Sequence, residues 1–195
     1  MHGGPARAVQ VLPSPGPLRA PYYGGRCVVM RQVGRVPRVV VGAAYVEEAC
    51  ALIARAEESI EVVTYAVSPV RAGKGGKVAL IFGGLASAAR RGVAVRVLFE
   101  RSPRERAGPR SASRAVEVLK AANVAARLGP GSLRIHGKVM VFDRTYVLSG
   151  SHNLTERSLG RNWEVSTLVG HKAIGTEMAL RFERLWERAG RFGGK

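Results

Sequence analysis

The chain has 195 residues, enough for one domain with a sizeable buried core and short for two. Lys and Arg number 31 against 14 Asp and Glu, and the net charge of +17 favours polyanionic partners, nucleic acid first and anionic membrane surfaces second. Cys27 and Cys50 form no CxxC, and no run approaches the roughly 20 apolar residues of a bilayer span, so a disulfide scaffold, export and stable membrane insertion are not expected and a reducing cytoplasm is.

Residues 1–35 are rich in Pro, Gly and Arg without a sustained period, which reads as a flexible basic arm ending in a short strand near 27–30. A single domain is expected over 36–195. From Ala44 to Ser59 the residues Val46, Ala49, Cys50, Ile53 and Ala56 recur at helical spacing, making Cys50 a core thiol. Ile60–Val67 reads as a buried strand, Arg71–Lys77 as a Gly/Lys loop, Leu80–Arg91 as a helix stopped by Gly92, and Val93–Phe99 as a strand. A basic loop, Arg101–Arg114, precedes a helix at Ala115–Ala121 and a strand at Val124–Leu128. Strands at Arg134–Phe142 and Tyr146–Ser149 then flank a turn at Asp143-Arg144-Thr145. A strand at Trp163–Val169 and a helix at Ala173–Ala189 close the chain. Strands alternating with helices predict an α/β fold, a mixed β-sheet flanked by helices on both faces.

The densest chemistry lies between residues 136 and 153, where His136, Lys138, Asp143, Gly150, Ser151 and Asn153 fall in the pattern H-x-K-x4-D-x6-G-S-x-N. Six specified positions at roughly 5% each make a chance match on the order of 10⁻⁸ per starting point. Alternate residues of a strand share a face, so His136 and Lys138 are expected side by side. An imidazole can attack phosphorus and split one displacement into two through a covalent phosphohistidine. The ammonium of Lys138 would stabilise the charge of the crowded transition state, the role a divalent ion otherwise fills. Ser151 and Asn153, just past the next strand, would reach phosphate oxygens. No cluster at ligand spacing accompanies the motif, so neither metal nor other cofactor is expected.

The motif resembles the signature of the phospholipase D superfamily, most strongly over 134–166 and by pattern over 44–189. The resemblance implies that superfamily's fold over 36–195, with a phosphohistidine formed on one motif histidine while a second motif histidine protonates the leaving group. Only one H-x-K is present here, as in the single-motif branch of bacterial and archaeal endonucleases and the mitochondrial Zucchini-type proteins. That branch implies a homodimer with a composite active site. It also implies that Glu164, eleven residues beyond Asn153, accepts a hydrogen bond from the motif histidine and fixes its tautomer. Asp143, at the hairpin turn, is expected only to support the catalytic set.

Substrate contacts are expected from Gly150, from Lys74 and Lys77 in the Gly/Lys loop, and from Arg101, Arg104 and Arg106, which follow a strand end where open α/β sheets place ligands. Arg suits bidentate phosphate contacts. His152 alternates away from its neighbours and reads as structural. Asn153 could instead cap the turn that follows it. The expected function is metal-independent hydrolysis of DNA or RNA phosphodiesters. Hydrolysis of lipid phosphodiesters such as cardiolipin, or non-catalytic nucleic-acid binding on the same fold, are the alternatives.

Overall fold

The computed structural model describes residues 36–69, 75–102 and 108–191. The expected N-terminal arm with its strand near 27–30, and Lys74, Arg104 and Arg106, lie outside the described residues. In chain order the elements are β1 (Arg38–Val41), α1 (Ala44–Arg55), β2 (Ser59–Thr64), α2 (Lys77–Arg90), β3 (Ala94–Phe99), α3 (Gly108–Ala121), β4 (Ala125–Leu128), β5 (Val139–Phe142), β6 (Tyr146–Gly150), β7 (Val165–Gly170) and α4 (Lys172–Arg191). They form one seven-stranded sheet in the order β1-β7-β6-β5-β2-β3-β4. The neighbours β2, β3 and β4 are parallel, and every other pairing is antiparallel. The mixed sheet read from the sequence is therefore present.

Alternation along the strands sorts the core into two layers. Ile60, Val62, Val95, Val97, Met140, Phe142, Leu148 and Leu168 pack with apolar residues of α1, α2 and α3 on one face. Val63, Leu98, Val141 and Val147 point the other way, toward Ala179, Phe182 and Trp186 of α4. Each fully buried aliphatic or aromatic side chain contributes about 1.5–3 kcal/mol of transfer free energy, so both layers anchor the sheet. Cys50 is buried in the larger one. No helix among the described residues is long and apolar enough to cross a membrane.

The structure departs from the sequence reading most in three places, and β2, which ends at Thr64 where the reading carries it to Val67, is shorter as well. The helix expected from Ala115 begins at Gly108, because Ala112, Ala115 and Leu119 continue one apolar face through the arginines, and Arg is a good helix former. The structure adds β1, which the periodicity does not predict; its four residues hydrogen-bond to β7, a partner far away in sequence. The strand expected from Arg134 begins only at Val139, since β2 and β6 pair with β5 no further than Val63 and Ser149. Gly92, by contrast, ends α2 as expected, at φ +93° in the left-handed region where glycine is favoured.

Asp143 holds the far end of the sheet together. Thr145 N–H bonds to Phe142 C=O across Asp143 and Arg144, both at φ 49°, the conformation of a primed hairpin turn. Its carboxylate accepts the backbone N–H groups of Glu57, Glu58 and Ser59 at 2.8–3.2 Å and so clamps the α1–β2 turn. Three donors on one carboxylate account for its place in the motif without any contact to substrate.

Candidate active site

The ends of four adjacent strands meet at the opposite edge from Asp143. β2 and β6 leave the sheet there, and β5 and β7 enter it. The residues just outside those ends are Tyr65 to Val67, His136 to Lys138, Ser151 to Asn153, and Glu164. Topology thus gathers residues from four separate stretches of chain.

His136 and Lys138 precede β5 rather than lying in it, yet they are adjacent as expected. The Lys138 ammonium donates to the His136 carbonyl at 2.7 Å and lies 3.3 and 3.4 Å from the two ring nitrogens. Tyr65 completes the cluster, its ring centroid 4.4 Å from the imidazole and 5.1 Å from the Lys138 nitrogen. The segment carrying His136 is fixed by buried Glu100, whose carboxylate accepts the N–H groups of Ile135 at 2.6 Å and Ser102 at 3.1 Å. His136 itself is exposed.

Ser151 and Glu164 form a second, hydrogen-bonded half of the site. The Ser151 hydroxyl donates to one carboxylate oxygen of Glu164 and accepts Val165 N–H at 3.0 Å. The other Glu164 oxygen accepts from the Ser158 hydroxyl and the Asn162 amide, each at 3.0 Å. Burial alone pushes this carboxyl up, but the bonds from Ser151, Asn162 and Ser158 and the nearby His152 outweigh it and hold Glu164 below the ordinary carboxylate range. Glu164 lies just before β7, and its carboxylate bonds to Ser151, Ser158 and Asn162 and not to His136 of its own chain.

Asn153 is buried, and its side-chain oxygen accepts Ala66 N–H at 3.1 Å, tying the exit of β2 to the loop after β6. The following turn is capped by Thr155, whose hydroxyl accepts Ser158 N–H at 3.1 Å. Gly150 is required by packing, since a Cβ there would lie 2.2 Å from the Val165 carbonyl oxygen and 2.4 Å from Ser166 Cα. The half-buried Arg101 spends its Nε–H on the Gly129 carbonyl at 2.8 Å. Lys77 opens α2, where the Glu156 carboxylate accepts the N–H groups of Lys77 and Val78, an acid at the positive end of the helix dipole.

His152 is structural, as expected. It is 1% exposed, stacks on Tyr45 at 4.3 Å, and bridges Ser166 Oγ at 2.8 Å and the Gly42 carbonyl at 3.0 Å. A carbonyl only accepts, so Nε2 carries the proton and a neutral ring takes the Ser166 hydroxyl at Nδ1. Burial holds its pKa below the ordinary histidine value. Its contribution to stability is therefore full above the unfolded-state value of about 6.5 and is lost as pH falls from there through the lower folded-state value. Thermal melts should show wild-type stability dropping on acidification below neutrality. The variant His152→Gln should be less stable by about 1–3 kcal/mol at pH 8 and lose part of that acid slope. An unchanged slope would refute the assignment.

Tyr65, Glu100, Ser158 and Asn162 were not anticipated from sequence. Tyr65 and Glu100 stand at the C-terminal ends of the parallel strands β2 and β3, a position that alone could have marked them. Beside His136, on the α4 face of the sheet, lies a cavity of about 260 Å³ whose walls include Val63, Ile135, Val139, Met178, Phe182 and Leu185.

A family model described as cardiolipin synthase, PLD-like domain, matches residues 49–186. Among solved structures, the phospholipase D family member Nuc from Salmonella typhimurium superposes with a TM-score of 0.62 at 20% identity, over 78% of this chain and 95% of that one. NucT from Helicobacter pylori gives 0.60 at 17% identity, over 78% and 96%. Phosphatidylserine synthase from Haemophilus influenzae gives 0.58 at 16% identity, over 78% of this chain and 38% of that one. Comparison with curated protein sequences gave no match.

Proposed function

The chain belongs to the phospholipase D superfamily, a superfamily of phosphodiesterases, and on that premise we propose that it is a metal-independent nuclease acting on DNA or RNA as a homodimer. The observation that carries this reading is the packing of Lys138 against His136 at the mouth of the sheet, a nucleophile with its own fixed cation. An unprotonated ring nitrogen of His136 attacks phosphorus, and the bond to the leaving ester oxygen breaks. That oxygen takes a proton from a second imidazole, and water then displaces the histidine from the phosphoryl group. Lys138 offsets the negative charge that builds on the phosphate oxygens. Nucleic acid is favoured as substrate by the net charge of +17 and by the exposed Arg134, Arg157 and Arg161 near the site. Gly150 and Arg101 act in this reading by shaping the site, and Lys77 by its charge.

One observation favours a second reading. The cavity beside His136 is walled mostly by aliphatic and aromatic side chains, with Glu61, Arg134 and Arg181 also in its lining, and would accept an alkyl segment, as a lipid phosphodiester requires.

Labelled single- and double-stranded DNA, RNA and cardiolipin, each incubated with the protein in excess EDTA, test both. Nucleic acid should be cleaved at an undiminished rate in chelator, because Lys138 occupies the place of the metal. Complete loss of cleavage with rescue by magnesium would sink the phosphohistidine mechanism. Cleavage of cardiolipin alone would favour the lipid reading, and binding without cleavage of any substrate would leave a binding module.

A further inference from the structure

Trp163 is 82% exposed, whereas the other tryptophan, Trp186, is buried against Phe182 and Arg127. An indole is among the largest apolar side chains, and folded chains bury most of its area. Here it stands on a backbone held on both sides. Arg161 and Asn162 donate their N–H groups to the Arg157 carbonyl at 2.8 and 3.0 Å, and the Arg157 guanidinium donates to the Asn162 side chain at 3.3 Å. On the other side, Asn162 and Val165 bond to Glu164 and Ser151. The backbone that carries the indole is thus held one residue from the Glu164 carboxylate, and no described residue covers the ring.

Its surroundings are cationic. Arg157 and Arg161 are exposed, and the Lys77 ammonium lies beside Gly160, 3.0 Å from where a Cβ would stand there. None of these three side chains forms an ion pair among the described residues. Glu156 has its carboxylate turned to the first N–H groups of α2 instead.

Exposed cations with an aromatic plane among them are the chemistry that binds single strands: phosphates meet the charges and a base stacks on the ring. We infer that Trp163 is the base-stacking platform of the substrate groove and gives the site a preference for single-stranded over duplex nucleic acid. The inference rests on the nuclease reading. In a duplex both faces of each base are taken up by its neighbours, so the indole has no partner there. The rigid loop means that little conformational freedom is lost on stacking.

Steady-state cleavage by wild type, Trp163→Ala and Trp163→Phe tests this with three substrates: a single-stranded oligonucleotide, its duplex, and a single strand made of abasic sugars. With the normal single strand, Trp163→Ala should raise KM about tenfold at nearly unchanged kcat, and Trp163→Phe much less, from the energy of one base–aromatic stack. On duplex and abasic strand the three proteins should agree within about twofold, since phosphate contacts are untouched. An equal loss on all three substrates, or no loss on any, overturns the inference. So does a Trp163→Ala chain that runs as a monomer in size-exclusion chromatography where wild type is a dimer, because the indole would then belong to the contact between copies. If wild type cleaves no nucleic acid, the nuclease reading itself fails and takes this inference with it. Wild-type cleavage that Trp163→Ala leaves unchanged removes the stacking role alone.

Discussion

Replacing His136 with Asn is expected to lower single-turnover cleavage by on the order of 10⁴ or more while leaving the fold intact. On the proposed mechanism the activity loss is large because His136 would supply the atom that bonds to phosphorus, and without it only Lys138 and the basic surface would remain to act on the substrate. Stability should change by less than about 1 kcal/mol, since the ring is exposed and its removal opens no core cavity. Its contacts, the Tyr65 ring and the Lys138 ammonium, are at the surface of the site. Nucleic-acid affinity should persist in the variant, because Lys and Arg side chains carry it, and should fall steeply as salt is raised. Thermal melts, cleavage assays and salt titrations on the same preparation separate these effects. A variant that cleaves normally would remove His136 from the mechanism, and a salt-insensitive affinity would remove the basic surface from substrate docking.

Mixing His136→Ala chains with wild-type chains under conditions of subunit exchange should poison activity beyond simple dilution. One imidazole cannot be both the unprotonated nucleophile and the protonated acid of the same displacement, and the described residues place only one imidazole beside Lys138. The other imidazole near the site, His152, is buried with both ring nitrogens engaged. A two-fold axis through the site would supply the second His136, with one surface of each chain meeting the same surface of its mate. If both copies are needed, an equimolar mixture retains about one quarter of the wild-type activity instead of one half, because only wild-type pairs are competent. Activity in proportion to the wild-type fraction, or full turnover by a verified monomer, would defeat the shared site.

The fold was largely legible because its strongest determinants are local. The 3.6-residue apolar period over Val46 to Ala56 and the buried runs at Ile60 and Val93 report burial directly, and burial is what selects α1, β2 and β3. β1 was not legible, since four residues with two exposed valines hold their place only through pairing with β7. Nor was the early start of α3, where a run of arginines concealed an apolar stripe whose partners are on the sheet.

The site divides along the same line. Spacing by itself determined that His136 and Lys138 would be neighbours, because two residues apart in an extended segment is a short-range geometric fact, and it singled out Ser151 and Asn153 as chemistry worth locating, whereas Glu164 came from the family resemblance. It could not distinguish residues that face substrate from residues that build the frame. Asp143, inside the motif, proved to be an anchor for three backbone N–H groups at the far end of the sheet, and Gly150 a place where two strands approach too closely for a Cβ. Tyr65, Glu100 and Ser158 lie far from the motif or between its parts, and they reach the site only because β2, β3 and the loop after β6 end at one edge. Residue type and spacing fix what a side chain is able to do. Which groups it meets depends on strand order and register, and those are set by pairings among residues up to a hundred positions or more apart, such as Gly42 with His152.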